Sequence, residues 1–186
     1  MSQASRKVTM IVGSLRKDSL NRKLMKLLQE EIPSHWSVEE VAIGELPFYN
    51  QDIEQDGDPE VVTHMKQAIQ GADGVILITP EYNSGTPAVL KNALDWASRP
   101  TKTSVLIDKP FAVAGASPGG GGTAQSQGQV RQTLLTMNAV VMPGPKILVS
   151  RAHEKVNEQT EQMDDERTRK HAKRFLDSFE AWMSKF

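Results

Sequence analysis

The chain has no cysteine, and that absence excludes several kinds of chemistry. There can be no disulfide framework, no thiolate nucleophile and no cysteine-ligated metal site. Long apolar runs are missing too, because no stretch approaches the roughly 18 residues of a membrane-spanning helix. The first residues are polar and lack the apolar core of a signal peptide. We therefore expect a soluble cytoplasmic protein that does not contact a membrane.

An excess of charge of one sign is also lacking. The 186 residues include 22 basic and 23 acidic side chains, which gives a formal net charge of −1. No basic stripe interleaved with aromatic residues is present, so nucleic acid is not an expected partner. The histidines lack the carboxylate clustering of a metal site, and we expect no bound metal. They are His35, His64, His153 and His171.

Strands and helices alternate along the chain, which is long enough for one domain over residues 1–186. Apolar segments predict strands at 8–12, 38–43, 74–79 and 111–116, and a fifth at 139–142 and 147–149 that Pro143-Gly144-Pro145 interrupts. Helical spacing is found at 21–31, 58–71, 86–98, 125–137 and about 164–182. Residues 44–57 are expected to form a loop, and Asp58 to cap a helix that begins at Pro59. The pattern predicts an α/β fold with a doubly wound parallel sheet, in the order 2-1-3-4-5, and helices on both faces.

The loop after the first strand, Gly13–Asn21, has the composition of a phosphate site. It lacks the Gly-Lys-Ser/Thr of a P-loop, and Leu15 replaces the second glycine of the dinucleotide fingerprint. The helix that follows directs its N-terminal N–H groups into this loop. We expect Ser14, Ser19 and the amide of Leu20 to bind one terminal phosphate, with Arg16 balancing its charge. The same residues also suit an ordinary turn in which Ser19 caps the helix.

Two further loops follow the third and fourth strands. Pro80–Pro87 is stiffened by proline and suits hydrogen bonding along a planar heterocycle, and the alternative for Tyr82 is an aromatic residue at the edge of the core. Ser117–Thr123 contains four consecutive glycines, which admit a close ligand or form a flexible surface loop. With strands one, three and four as neighbours, the three loops share one rim of the sheet. They describe a site for a phosphate joined to a flat polar ring.

At these residues the chain resembles the NADPH-dependent FMN reductase family of flavodoxin-like proteins, which includes quinone, azo-dye and chromate reductases. The matching segments are 13–21, 80–96 and 117–122. The resemblance implies that the FMN phosphate is held by Ser14, Arg16, Ser19, Leu20 and Asn21. It implies that the ribityl chain and the isoalloxazine ring lie against Pro80, Glu81, Tyr82, Asn83 and Ser84. Ser117 and Gly119 are then expected near the pyrimidine end of the ring.

The third segment departs from the family pattern, and the departure bears on subunit contacts. Thr123 stands where many relatives have glycine, and Gln125 stands where many have a basic residue. These differences affect the expected nicotinamide pocket and the contacts made by this loop. Family members are commonly dimers or dimers of dimers, so a homodimer or homotetramer is implied. The segment 90–98 and the pair Phe48-Tyr49 are the candidate contacts.

The expected reaction is a ping-pong transfer of two electrons from NADPH or NADH to a small-molecule acceptor. No catalytic side chain is predicted, and Glu81, the only acid in the main motifs, is expected to position its loop through its backbone. A flavodoxin-type electron carrier is an alternative that the balanced charge disfavours, because such carriers dock electrostatically. A flavin-binding regulatory protein without turnover is another. A hydrolase or transferase would need a base or nucleophile beside the phosphate loop, and none is evident. No basic cluster for a 2′-phosphate can be placed, so the preference between NADPH and NADH stays open.

Overall fold

A parallel sheet forms the centre of the molecule, and helices cover both of its faces. The computed structural model describes residues 5–186. Its strands are β1 (Arg6–Val12), β2 (Trp36–Val41), β3 (Gly74–Ile78), β4 (Pro110–Ala116), β5 (Val140–Val141) and β6 (Ile147–Val149). Its α-helices are α1 (Leu20–Glu30), α2 (Gln51–Gln55), α3 (Glu60–Gln70), α4 (Ala88–Ala97), α5 (Ala124–Thr136) and α6 (Glu166–Met183). Two short 3-10 helices lie at Thr101–Thr103 and Ala152–Lys155.

The order of the sheet is β2-β1-β3-β4-β5, and all of these pairings are parallel. β6 also pairs with β4, further along the same edge than β5. Val141 lies opposite Phe111, whereas Ile147 lies opposite Ala114. β5 and β6 are therefore two parts of one edge strand, interrupted by residues 142–146. The predicted architecture, its strand order and the break in the fifth strand are confirmed.

Two hydrophobic clusters hold the helices against the sheet. β3 and β4 are buried along their whole length, as expected for parallel strands covered on both faces. One cluster joins α1 and α6 to the sheet, with Leu24 and Phe175 fully buried. The other joins α3, α4 and α5 to the opposite face, with Leu90 and Val130 among its members. None of the helices in residues 5–186 is long and apolar enough to cross a membrane.

Two local predictions were wrong. The segment 44–57, predicted as a loop, contains α2, which Asn50 caps by accepting a hydrogen bond from the N–H of Asp52. This helix has no buried residue, so it carries no apolar periodicity that the sequence could reveal. In α3, Pro59 is the cap and Glu60 is the first helical residue. The Asp58 carboxylate does not cap this helix and instead accepts a hydrogen bond from Lys66 Nζ at 2.6 Å.

The ends of three strands lie side by side at one edge of the sheet. Val12 of β1 is in register with Ile78 of β3, and Ile78 is in register with Ala114 of β4. The pairing continues just beyond the strands, where Gly13 N–H donates to the Ile78 carbonyl at 2.8 Å. The loops that leave β1, β3 and β4 therefore begin at nearly the same level and face each other.

Candidate functional site

A cleft opens where β1, β3 and β4 end, and we call it the rim cleft. Its lining residues are Ser14, Arg16, Ser19, Leu20, Asn21, Pro80, Glu81, Tyr82, Ala116, Ser117 and Pro118. Most of the predicted site residues thus come together, from all three loops. Asn83, Ser84 and Gly119 lie outside the lining, whereas Ala116 and Pro118 belong to it and were not predicted. Both missed residues adjoin Ser117, so they follow from where β4 ends and carry no motif of their own.

Ser19 begins α1 as its N-cap. Its hydroxyl accepts hydrogen bonds from the N–H groups of Asn21 and Arg22, at 3.2 and 3.4 Å. The turn that the sequence also allowed is therefore present. The N–H of Leu20 has no acceptor among residues 5–186 and lies at the positive end of the helix. Capping by Ser19 thus leaves a helix N-terminus that can bind an anion.

Arg16 is the free positive charge of the rim cleft. Its side chain is exposed and forms no ion pair in the described part of the chain. Asp18, the one acid in the first loop, pairs with Lys23 at 2.7 Å. The hydrogen bond from Lys23 holds the pKa of Asp18 below its ordinary value, so this carboxylate stays charged and paired with Lys23. Arg16 is thus available to an anion, beside the buried side chain of Ser14.

Asn21 connects the first loop to the end of β4. Its amide donates to the Ala116 carbonyl and accepts from the Ala116 N–H, both at 2.9 Å. Asn21 is 3% exposed, and the Ala116 backbone engages its carbonyl oxygen and one of the two N–H groups of its amide. Asn21 therefore fixes the distance between the phosphate loop and the third loop. Asn21 also lines the rim cleft, so a contact of its second amide N–H with a phosphate stays a prediction.

The middle loop contains a tight hairpin from Tyr82 to Gly85. Tyr82 N–H donates to the Gly85 carbonyl at 3.2 Å, and Gly85 N–H returns a bond to Tyr82 at 2.9 Å. The two central residues, Asn83 and Ser84, have left-handed φ values of 50° and 59°. Such values suit a type I′ turn but strain a residue other than glycine. The turn directs Asn83 and Ser84 to solvent and leaves Tyr82, which is 46% exposed, beside the cleft.

The carboxylate of Glu81 caps α5 from the middle loop. Its Oε2 accepts from the N–H groups of Gln125 and Ser126, at 2.9 and 3.0 Å. The N-cap residue of α5, Thr123, provides no side-chain hydrogen bond of its own. Glu81 thus replaces the missing cap and places its negative charge at the positive end of the helix. The sequence predicted that Glu81 positions its loop through its backbone, whereas the structure shows its carboxylate doing so.

Further contacts attach the middle loop to α5. Gln129 accepts from Thr86 N–H at 2.9 Å and donates to the Ser84 carbonyl at 3.2 Å. The hydroxyls of Thr79 and Ser126 are 2.8 Å apart and buried. The strained hairpin is therefore held on the same helix that Glu81 caps. This support fixes the backbone of Pro80–Tyr82 at the rim.

Thr123 fills a space beside β4. It is fully buried, and its hydroxyl accepts from Gln127 Nε2 at 3.0 Å. A Cβ on Gly115 would lie 2.2 Å from Thr123 Oγ1 and 2.3 Å from the Thr79 carbonyl oxygen. Both contacts require glycine at position 115, and the backbone carbonyl of Thr79 alone excludes any larger residue. Neither Thr123 nor Gln125 lines the rim cleft, so the departures from the family pattern lie behind its wall.

The residues of the rim cleft fit flavin mononucleotide. An unpaired helix N–H, the buried Ser14 and the unpaired Arg16 suit a single phosphate. The backbone of Pro80–Tyr82 and Ser117 provides polar groups beside an aromatic ring, which suits a planar heterocycle. This site lies on a sheet whose order is that of the flavodoxin-like folds. The fold and the site together define a flavodoxin-like protein that binds FMN.

The comparison with protein families agrees with this class and narrows it. The family described as NADPH-dependent FMN reductase matches residues 6–154. The chain belongs to the NADPH-dependent FMN reductase family, as the resemblance of its three loops implied. It is an oxidoreductase that uses FMN as its cofactor and NADPH or NADH as its cosubstrate.

Individual relatives are similar over nearly their full length. The chain is 41% identical over 177 residues to a 2-hydroxy-1,4-benzoquinone reductase of Burkholderia sp, which covers 95% of this chain and 96% of the relative. It is 36% identical over 181 residues to a quinone reductase of Escherichia coli, with 96% and 95% covered. Among solved structures, FerB of Paracoccus denitrificans, a flavoenzyme NAD(P)H:(acceptor) oxidoreductase, has 40% identity and a TM-score of 0.88. That similarity covers 97% of this chain and 98% of FerB.

Proposed function

We propose that this protein reduces quinones and similar small acceptors by two electrons at the rim cleft, with NADPH or NADH as the electron source. The observation that carries the proposal is the unpaired Arg16 beside the free N–H of Leu20, next to an open wall at Tyr82. The quinone reductases of Burkholderia and Escherichia coli are similar over nearly the whole chain, which supports this class of acceptor. Flavins and azo compounds are acceptors of the same kind, because they also take two electrons.

The side chains of the rim cleft have separate tasks in this proposal. Ser14, Arg16 and the N–H of Leu20 bind the phosphate, and the backbone of Pro80–Tyr82 with Ser117 orients the ring. When bound, FMN would supply the redox chemistry, which is acceptance of a hydride from NADPH or NADH and transfer of two electrons to the acceptor. The Glu81 carboxylate accepts hydrogen bonds from α5 and is not placed to move a proton. The chain therefore binds and orients FMN, and it leaves one face of the site open.

A shared face has a kinetic consequence. Cosubstrate and acceptor occupy the same space in turn, so the first product has to leave before the acceptor enters. Initial rates at several fixed concentrations of 1,4-benzoquinone should give parallel double-reciprocal lines against NADPH. Intersecting lines would contradict a shared face. A flavin that is reduced only by a partner protein, and by neither NADPH nor NADH, would indicate an electron carrier.

We propose further that the protein is a homodimer or homotetramer and that it acts in the cytoplasm, where it would draw on NADPH and NADH. Phe48 supports the assembly, because its side chain is 81% exposed while the backbone around it is fixed. Asn92 accepts from the N–H of Tyr49 at 2.8 Å and donates to the Pro47 carbonyl at 2.9 Å. Trp96 Nε1 donates to the same carbonyl at 2.8 Å. An apolar ring held outward in this way suits burial by a second subunit.

A further inference from the structure

A second cleft, which we call the basic cleft, lies along the outer edge of β6. It is lined by residues 146–150 together with Lys155, Arg167, Thr168 and His171. Lys146, Lys155 and Arg167 are basic, and none of them forms an ion pair within residues 5–186. No carboxylate lines the cleft, and the neighbouring Asp165, whose charge acts on Lys155 and Arg167 without an ion pair, accepts its hydrogen bonds from Thr168. Three cations and one nearby carboxylate therefore leave the cleft with an excess of positive charge.

The basic cleft shares a wall with the rim cleft. Ser117 N–H donates to the Val149 carbonyl, and Ala152 N–H donates to the Ser117 carbonyl, both at 3.0 Å. Ser150 lies within this hydrogen-bonded segment and lines the basic cleft. The segment 149–152 is thus bonded to a residue of the rim cleft and contributes Val149 and Ser150 to the basic cleft, so the two clefts are neighbours.

We propose that the basic cleft binds the 2′-phosphate of NADPH and so distinguishes NADPH from NADH. The inference rests on the proposed function, since it assigns a second subsite to the same cosubstrate. A phosphate monoester carries up to two negative charges and several acceptor oxygens, which match Lys146, Lys155 and Arg167. His171 is oriented by the Lys146 carbonyl at 2.9 Å and adds a further polar group.

The sequence could not reveal this cluster. Its cations come from the loop before β6, from the 3-10 helix at Ala152–Lys155 and from the first turn of α6. They are separated along the chain by other residues of both charges, so no basic run marks them. Only the packing of α6 beside β6 brings Lys155 and Arg167 to the same cleft as Lys146.

Another cleft, beside α1, has basic residues but suits an anion less well. Its lining includes Asp18 and Glu161. Lys23 pairs with Asp18 at 2.7 Å, and Arg22 pairs with Glu40 at the same distance. Two of its four cationic residues, Arg22 and Lys23, are therefore already paired with carboxylates. This cleft supplies a control position, because Lys26 lines it and is exposed.

The test measures binding of adenosine fragments to the FMN-loaded protein by calorimetry. Adenosine 2′,5′-bisphosphate should bind at least tenfold more tightly than 5′-AMP, since only the former carries the 2′-phosphate. Arg167→Gln and Lys155→Gln should each weaken the bisphosphate about tenfold and leave 5′-AMP unchanged. In steady state both variants should raise KM for NADPH and leave kcat and the KM for NADH unchanged. Lys26→Gln is the matched control and should change none of these values.

Several results would overturn the inference. Equal binding of the two fragments to the wild-type protein would do so, as would equal weakening of both fragments in the variants. Inorganic phosphate competing as well as the bisphosphate would also overturn it, because the cleft would then recognise any free anion. These outcomes are distinct from failure of the proposed function, in which neither NADPH nor NADH reduces the bound flavin. Fragment binding is measured without turnover, so it decides the subsite independently of activity.

Discussion

Arg16 brings to the rim cleft a charge that no carboxylate of residues 5–186 pairs with. We predict that Arg16→Ala weakens FMN binding by roughly 10- to 100-fold, the size expected for one charge-assisted hydrogen bond. Riboflavin, which lacks the phosphate, should lose little affinity. Quenching of flavin fluorescence by the apoprotein measures both constants. Arg174→Ala, at an exposed arginine of α6, is the control, and equal losses for FMN and riboflavin would contradict the phosphate role.

Glu81 acts at a distance from the flavin, through α5. We predict that Glu81→Ala lowers the free energy of unfolding by about 1–2 kcal/mol, because the first turn of α5 loses its cap. FMN should also bind more weakly, since the loop that carries Pro80–Tyr82 loses its support. Glu81→Gln keeps one acceptor oxygen, so its free energy of unfolding should lie between those of wild type and Glu81→Ala. Unchanged denaturant unfolding of Glu81→Ala would show that the bonds to Gln125 and Ser126 do not stabilise the fold.

Single residues differ in how far the sequence could predict their tasks. The position of Ser14 and Arg16 at the rim cleft follows from the sequence, because the loop after a buried parallel strand lies at the edge of the sheet where such clefts form, and their contact with a phosphate stays a prediction. Asn21 and Glu81 did not follow, since their partners lie 95 and 44 residues away in the chain. The chemistry of an amide or a carboxylate suits many partners. Only the fold selects Ala116 for one and the first turn of α5 for the other.

At the scale of elements, α6 begins at a cap that depends on pH. Asp165 accepts from the N–H of Thr168 at 2.8 Å and also from its hydroxyl. Burial raises the pKa of Asp165, but the bonds from Thr168 and the charges of Lys155 and Arg167 outweigh it, so the folded pKa lies below the ordinary value of 3.8. A depressed pKa stabilises the fold above the unfolded value, and this stabilisation is lost as the pH falls through the folded value.

We therefore predict that Asp165→Ala costs about 1 kcal/mol of stability at neutral pH. The difference from wild type should shrink as the pH falls below 3.8, the ordinary value of this carboxyl. Thermal unfolding at a series of pH values measures it. Asp177→Ala, at an exposed position within the same helix, should show no such dependence. A difference for Asp165→Ala that persists unchanged at the acid end would mean that its charge does not stabilise α6.

The elements themselves were predictable where burial marks them. β3 and β4 are apolar without alternation because helices cover both faces of the sheet. α1 and α6 show an apolar stripe because one side of each helix packs against that sheet. α2 was missed because nothing in it is buried. Pro59 was misplaced by one position because proline suits both the cap and the first turn, and its extended ψ of 151° decided the matter.

At the scale of the whole molecule, Phe48 is the residue that tests the assembly. We predict that Phe48→Ser lowers the molar mass measured by light scattering and leaves the melting temperature of the separated subunit close to that of wild type. The ring is 81% exposed within its own chain, so its removal costs little packing there. Phe186→Ser, at a phenylalanine that is 63% exposed, is the control. An unchanged mass for Phe48→Ser would exclude this loop as the contact.

More of the fold than of the candidate site could be predicted from the sequence. Alternating strands and helices predict a doubly wound sheet, and the order 2-1-3-4-5 places three loops on one rim. What the sequence could not predict is how the loops are held. The bond of Asn21 to β4, the cap from Glu81 and the bond between the hydroxyls of Thr79 and Ser126 each join parts of the chain that lie far apart.

The central claim is that the rim cleft holds an FMN that NADPH or NADH reduces. Its most direct test is the visible spectrum of the purified protein during anaerobic titration with NADPH. We predict a yellow protein whose flavin absorbance bleaches after one equivalent and returns when a quinone is added. A colourless protein that takes up no added FMN, or a yellow one that neither NADPH nor NADH bleaches, would contradict the claim.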